Sequence, residues 1–423
     1  MRLRRHVQTT MRWLLPGIGV KRWLLLLAGG IAILSLGFSF LLRELYPLPG
    51  VFYYLTFQFI PRGLRAGLFG LVGLACVVLA LIGINRTLLA PFVDTSPEAV
   101  VNAVYCYRQR GRGPKIVAIG GGHGLAVLLR GLKRYTSNVT VIVTVADDGG
   151  SSGRLRRELG VLPPGDFRNC IAALADDEAL TTQLFQYRFG NGQGLNGHSF
   201  GNLFITAMAE VTGSFERAIL ESGRVLAIQG RVLPSTLQDV TLMADLRAES
   251  MGVNRVAGES TITRANGAIA RVYLEPDNAP AYPGAVRALL EADLIVAGPG
   301  SLYTSVLPNL LVPDVARAVR ASRASKVYVC NVATQRGETE GYSVGDHVQT
   351  LEVHVGSGIF PLVLVNENVD VDFDASGGVE LVAAEFPPDA GYRVIAADLV
   401  DPAHPWRHDS EKLARALLGL LEK

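Results

Sequence analysis

Paired cysteines are missing from this sequence. Its four, Cys76, Cys106, Cys170 and Cys330, stand apart, with no C-x-x-C pair and no His/Cys ligand spacing. That argues against a disulfide framework or a structural zinc site, and the four read as small buried hydrophobes in a reducing compartment. An excess of either charge is also missing, since 40 Lys and Arg face 38 Asp and Glu for a formal net charge of +2. A general nucleic-acid binder carries a basic surface, so that class is set aside. Internal repeats and low-complexity tracts are absent as well. Charged residues are scarce, 18% of 423, and they are scarcest before Ala90.

That N-terminal stretch holds two apolar runs. Trp23 to Leu42 carries no charge, and about 20 such residues cover ~30 Å of hydrocarbon as a helix. Leu68 to Ile84 is the second run, reaching Ala90 if Arg86 snorkels. The aromatics Phe52, Tyr53, Tyr54, Phe57 and Phe59 between them suit a membrane interface. A cleaved signal peptide fits less well, because no A-x-A site follows and a second run comes soon after. Cations cluster before the first run and after the second, with only Arg43, Arg62 and Arg65 between them. The pattern predicts a multi-pass inner-membrane protein with its N-terminus and C-terminal domain cytoplasmic. Neither run holds an Asp, Glu or Lys to suggest a transport path. The expected organisation is a basic N-terminus at 1–22 and a transmembrane hairpin at 23–90, with helices at about 23–42 and 68–90. A linker at 91–114, basic and flexible over Arg108 to Pro114, and an α/β domain at 115–423 complete it.

From Lys115 the pattern changes to short apolar runs of the kind seen in buried parallel strands. KIVAIG (115–120) runs into glycines, then a helical pattern from Leu125 to Tyr135, then the β-branched run Val139 to Ala146. Strand, glycine turn, helix, strand is a βαβ unit. Runs at 292–297, 326–331, 360–365 and 392–397 predict further strands, and residues 223–274, with short β-like segments and no long helix, predict a β-rich insertion. The fold class expected is α/β with a mostly parallel sheet. The C-terminal segment Glu411 to Lys423 predicts a helix whose leucines pack on the core.

Five loops carry the candidate chemistry. Gly120 to Gly124 lets backbone approach a phosphate at a helix start. It is equally a tight turn, because Val127 stands where a dinucleotide fingerprint needs its third glycine and no Gly-Lys-Ser/Thr follows. That also argues against an NAD-dependent redox enzyme. Asp147 to Arg154 (DDGGSSGR) follows a strand, where open α/β sheets bind ligands. Its acids can accept ribose hydroxyls or hold magnesium, and Ser151, Ser152 and Arg154 can hold phosphate oxygens. In Pro163 to Asn169, Asp166 can cap a helix while Arg168 and Asn169 reach a ligand. His198, Ser199 and Asn202 open another helix, and His198 alone is as well read as a structural hydrogen-bonder. Gly298 to Ser305, with Gly298, Gly300, Ser301, Thr304 and Ser305, forms a second phosphate cradle, with Thr334, Gln335 and Glu338 beside it. The candidate ligand-binding residues thus include Gly121, Gly122, His123, Gly124 and Asp148 besides those just named, and Asp147 and Asp148 are the candidates for catalysis or for Mg2+.

VTVADDGGSSGRLR (143–156), LPPGDFRN (162–169), HSFGNL (198–203), GES (258–260), GPGSLYTSVLPNLL (298–311) and NVATQRGET (331–339) occur in that order. As a set they resemble the gluconeogenesis-factor (YvcK-like) branch of the CofD/YvcK family, over the chain from about Lys115 onward. The resemblance implies a Rossmann-like core. It implies binding of a nucleotide-activated sugar of the UDP type, and a link to cell shape and envelope-precursor metabolism under gluconeogenic growth. The other branch, 2-phospho-L-lactate transferase, implies the alternative: transfer of a phospholactyl group with release of GMP, using magnesium. The N-terminal hairpin lies outside the resemblance, and His123 departs from a glycine loop where a smaller residue often stands. Expected partners are the nucleotide ligand and the membrane, and a homo-oligomer stays open.

Overall fold

Buried β-branched runs form the centre of this protein, whose structure is a computed structural model. It describes residues 110–421 except 176–179, 193, 249–251, 266 and 371–378, together with scattered positions between 28 and 78. The chain divides into two units, Met1–Gln109 and Arg110–Lys423.

The second unit begins with β1 (Ile116–Gly120), α1 (Gly122–Leu132), β2 (Val139–Val143), α2 (Gly150–Leu159) and α3 (Gly165–Leu174). Next come α4 (Leu180–Gln186), α5 (Phe200–Thr212), α6 (Phe215–Val225) and β3 (Arg231–Pro234). Strands β4 (Thr241–Ala248), β5 (Gly252–Ala257) and β6 (Ala268–Glu275) follow, with the short helix α7 (Glu259–Ile262) before β6. The chain continues through α8 (Pro283–Leu290), β7 (Leu294–Ala297), a π-helical turn at Leu302–Val306, α9 (Leu307–Leu310) and α10 (Pro313–Ala321). It ends with β8 (Ser325–Val329), α11 (Val344–Val355), β9 (Leu362–Asn366), β10 (Arg393–Ala397), β11 (Val400–Asp401), β12 (His404–His408) and α12 (Ser410–Leu418).

Seven strands form one sheet in the order β10-β9-β8-β7-β1-β2-β3, and every neighbouring pair is parallel. Each residue of β1, β2 and β7 is buried. Helices cover both faces of such a sheet, which is why these runs are continuously apolar and do not alternate. On α1, Leu125, Leu128, Leu129 and Leu132 make a fully buried stripe at helical spacing. Strand order reverses between β1 and β7: the chain builds outward to β2 and β3 on one side and to β8, β9 and β10 on the other. The loops after β1 and β7 meet there, and in open α/β sheets the ligand crevice lies at this place, outside the carboxyl ends of the strands.

Three expectations are corrected. Among the described residues no helix is long and apolar enough to cross a membrane. This overturns the expected transmembrane hairpin and, with it, the multi-pass inner-membrane placement. Much of both runs, 23–42 and 68–90, lies outside the described residues. Hydropathy measures what a segment costs in water, whereas crossing needs one unbroken helix of about 20 residues.

The β-rich insertion is narrower than residues 223–274. Gly223 to Val225 close α6, and β3 pairs in parallel with β2, Thr140 opposite Arg231 through Val143 opposite Pro234. Only β5-β4-β6 form the separate antiparallel sheet. Finally, the stretch from Arg110 is pinned to the α/β unit and is not a free linker. The Arg110 carbonyl accepts from the Ser137 amide at 3.1 Å, and Asn138 Nδ2 donates to the Gly113 carbonyl at 2.8 Å.

Candidate functional site

Glycine at the end of β1 allows three segments to meet. Gly121 is extended, and a Cβ there would run into Asp166 Oδ2. Gly122 has φ +67°, a left-handed conformation that favours glycine. A Cβ on Gly124 would fall 2.8 Å from the Pro299 carbonyl oxygen and 3.1 Å from Gly300 Cα. The start of α1, the start of α3 and the loop after β7 therefore close on one another at the crevice.

Carboxylates gather on the β2 side. Asp147 Oδ1 accepts from the Gly149 amide at 2.8 Å, and Asp148 Oδ1 accepts from the Ser260 amide at 2.8 Å. Glu259, at the start of α7, is pushed strongly toward its protonated form by burial, then by Asp147 and Asp166, with a hydrogen bond to Asp147. Asp166 is also raised, by burial first and Asp147 second, against the Gly122 amide and Arg168. Asp166 thus serves the first amide of α1 and makes no cap on its own helix, α3. Among the described residues no group of three or more His, Cys, Asp or Glu side chains could hold a metal ion. Asp147 and Asp148 each accept from a backbone amide of a neighbouring loop or turn.

Arginines and hydroxyls gather opposite. Arg168 Nη1 donates to Ser199 Oγ at 2.6 Å, and Nη2 to Asn169 Oδ1 at 2.8 Å. Ser199 caps α5, accepting from the Asn202 amide at 3.3 Å. Asn202 Nδ2 lies 3.5 Å from Ser152 Oγ. Ser151 Oγ lies 2.9 Å from His198 Nδ1. Burial, then Arg154, lowers the His198 pKa, so the ring is neutral near pH 7. Arg154 Nη2 donates to the Asn196 carbonyl at 2.9 Å. Three atoms of this group, Arg154 Nε, Arg168 Nε and Asn202 Oδ1, are buried without a hydrogen-bond partner. Each such atom costs about 1–3 kcal/mol, and three from one cluster mark a place that a ligand or ordered water completes.

The loop after β7 is occupied differently. The Gly300 amide donates to Asn331 Oδ1 at 3.2 Å, and Ser301 Oγ to Gln335 Oε1 at 2.7 Å. The Glu338 carboxylate accepts from the Tyr303 amide at 3.2 Å and from Thr304 Oγ1 at 2.8 Å. An internal carboxylate therefore sits where this loop would offer amides to a phosphate. Ser305 remains on the α1 side, its Oγ 3.7 Å from a Cβ built on Gly122.

Asn331 and Asn309 lie within the NVATQRGET and GPGSLYTSVLPNLL motifs, but neither is a candidate site residue on its own. Asn309 Nδ2 bridges the Gly120 and Ser305 carbonyls at 2.9 and 2.8 Å. The motifs mark these positions, but the role of each depends on contacts far apart in the chain. Glu259 had a local signal, its place in the GES motif.

A doubly wound parallel sheet with carboxylates and arginines gathered at its switch point defines a Rossmann-like α/β protein. Residues 116–400 match the family of 2-phospho-L-lactate transferase CofD, and the chain belongs to this family and to its gluconeogenesis-factor members. It is 46% identical over 322 residues to the gluconeogenesis factor of Bacillus subtilis, covering 74% of this chain and 100% of that one. A Nostoc sp. relative, provisionally named a gluconeogenesis factor, is 45% identical over 440 residues and covers 98% of this chain and 93% of its own. A crystal structure from Bacillus halodurans superposes with a TM-score of 0.69 at 44% identity, over 73% of this chain and 100% of that one.

Proposed function

We propose that this protein is a gluconeogenesis factor whose switch-point crevice binds a nucleotide-activated sugar of the UDP type. In this reading it tunes envelope-precursor metabolism and cell shape under gluconeogenic growth. The observation that carries the binding part is the set of orphaned buried atoms, Arg154 Nε, Arg168 Nε and Asn202 Oδ1. Two donors and one acceptor beside Ser151, Ser152 and His198 suit a phosphorylated sugar, which offers both anionic oxygens and hydroxyls. A ligand that binds only the native state raises stability by about 2.7 kcal/mol at one hundred times its Kd. Thermal unfolding of the full chain with UDP-N-acetylglucosamine should therefore shift upward, and the shift should shrink in Arg168→Ala. A flat melting temperature at millimolar ligand overturns the reading.

A second reading is supported by the raised carboxyls. Asp166 and Glu259 can hold and pass a proton beside the crevice, as phosphoryl transfer to a hydroxyl acceptor requires. Under it the protein transfers a phospholactyl group from a guanylyl donor and releases GMP. Chromatographic detection of GMP, lost in Glu259→Gln, would support it, and no GMP from that donor would end it.

A further inference from the structure

The loop after β7 meets the start of α1 at close range. A Cβ on Gly300 would lie 3.3 Å from the Gly121 carbonyl oxygen, and one on Gly121 would lie 3.5 Å from Ser305 Cβ. The loop then winds into the π-helical turn Leu302–Val306, a rare geometry that is frequent at functional sites.

One side chain fastens this turn. Glu338, 5% exposed, accepts from the Tyr303 amide at 3.2 Å and from Thr304 Oγ1 at 2.8 Å. It accepts a third bond from Gln335 Nε2 at 3.0 Å, and Gln335 Oε1 in turn accepts from Ser301 Oγ at 2.7 Å. Among the described residues no cation pairs with Glu338. The titratable groups on the elements around it are engaged elsewhere or stand at the surface. The Tyr303 and Tyr342 hydroxyls meet at 2.8 Å. On α11, His347 and His354 hold the Ser343 and Thr350 carbonyls through Nδ1 at 2.8 and 2.7 Å, and burial keeps both rings neutral near pH 7. Asp346 belongs to the capping box of that helix. Arg264, Arg336, Glu340 and Glu380 are exposed.

An ionised Glu338 therefore places a negative charge without a counter-ion directly behind a loop that borders the crevice. Such a buried charge is poorly screened, and it opposes a second negative charge arriving in front of the loop. The protonated form removes that repulsion and keeps its contacts, because the Thr304 hydroxyl can accept as well as donate. Burial raises this carboxyl to about 7, so both forms are within reach near neutral pH.

We propose that Glu338 is a positioning residue that couples ligand binding to proton uptake: the crevice takes its diphosphate ligand together with a proton on Glu338. This rests on the nucleotide reading above and adds regulation of the same site by pH.

Calorimetric titration of the full chain with UDP-N-acetylglucosamine tests it, because a diphosphate esterified at both ends has no monoester group to titrate near pH 6. A ligand that raises the carboxyl's proton affinity about tenfold should bind about fivefold more weakly at pH 8 than at pH 6. It should carry in about half a proton at pH 7.5, read from how the binding heat varies with the ionisation heat of the buffer. Glu338→Gln fixes a neutral group of the same size. It should bind about fivefold more tightly than wild type at pH 8, match wild type at pH 6, and take up about half a proton less. Asp166, also raised to about 7, and His123 and His198, both lowered mainly by burial, contribute equally to both proteins, so the difference between the two profiles belongs to Glu338. A Glu338→Gln profile parallel to that of wild type overturns the coupling and leaves the nucleotide reading standing. Dimethyl pyrophosphate carries the same two charges without a nucleoside and should show the same pH effect. The nucleotide reading fails separately if wild type binds this probe with that profile and does not bind UDP-N-acetylglucosamine. Wild type that binds neither overturns the coupling as well. Proton uptake by wild type below about a tenth of a proton at pH 7.5 overturns it whatever the stability of the variant.

Discussion

Burial pushes the Glu338 carboxyl up to about 7 from an ordinary 4.5, even though Thr304 and Tyr303 donate to it. The folded chain therefore binds this proton more tightly than the unfolded chain. The stabilisation is fully present below pH 4.5 and is lost as pH rises through 7, and the shift is worth about 3 kcal/mol. Urea unfolding between pH 5 and 8 should show stability falling with pH, with a shallower slope in Glu338→Gln. A slope unchanged by that substitution would mean Glu338 does not titrate in this window. Gly121 makes the companion case at residue scale. A Cβ there meets Asp166 Oδ2, so Gly121→Ala forces apart the starts of α1 and α3. The expected loss is about 1–3 kcal/mol in urea unfolding, together with weaker nucleotide binding. The glycine was visible in the sequence, but its reason was not, because the carboxylate it makes room for lies on a different loop.

At the scale of elements, the sequence pattern is informative where burial is complete and fails where pairing is decided at long range. The parallel strands β1, β2 and β7 are readable because continuous burial demands continuous apolar runs, while β8 and β9 are buried over three residues each and β10, at the edge, has none fully buried. β3 shows a partly alternating burial pattern at the sheet edge. Its residues look the same whether they pair with β2 or join the antiparallel insertion, so its membership depends on a partner some 90 positions away. The helix α1 is readable for the opposite reason, since its leucine stripe is periodic and fully buried. Leu128→Ala, between the sheet and α1's neighbours, should cost about 3 kcal/mol, read as a lower urea midpoint at unchanged slope. At α11, Ser343 and Asp346 form a reciprocal capping box. Ser343→Ala should cost about 1 kcal/mol, a smaller loss than at Leu128 because the cap orders one helix end while the leucine fills the core.

For the whole molecule, a formal net charge of +2 gives little long-range attraction for an anionic ligand. The arginines that matter are concentrated at the crevice and balanced elsewhere, as in the pairing of Arg255 and Arg271 with Asp245. Composition alone therefore hid the candidate site, because a near-zero net charge carries no information on where single arginines such as Arg154 and Arg168 stand. Hydropathy pointed to two membrane spans, yet among the described residues no helix is long and apolar enough to cross a membrane; a window of apolar residues reports solvent preference only. The charge distribution has a kinetic consequence. Steering across the solvent is weak and screened beyond about 10 Å at 0.1 M salt, so added salt should slow association only slightly. The contacts made after docking, at Arg154, Arg168 and Asn202, should set the residence time. Stopped-flow binding of a fluorescent UDP analogue should then show an association rate that changes by less than about tenfold between low and high salt, with Arg168→Ala acting mainly on dissociation. A steep salt dependence of association, unchanged in Arg168→Ala, would instead place the attraction in the field of the whole surface.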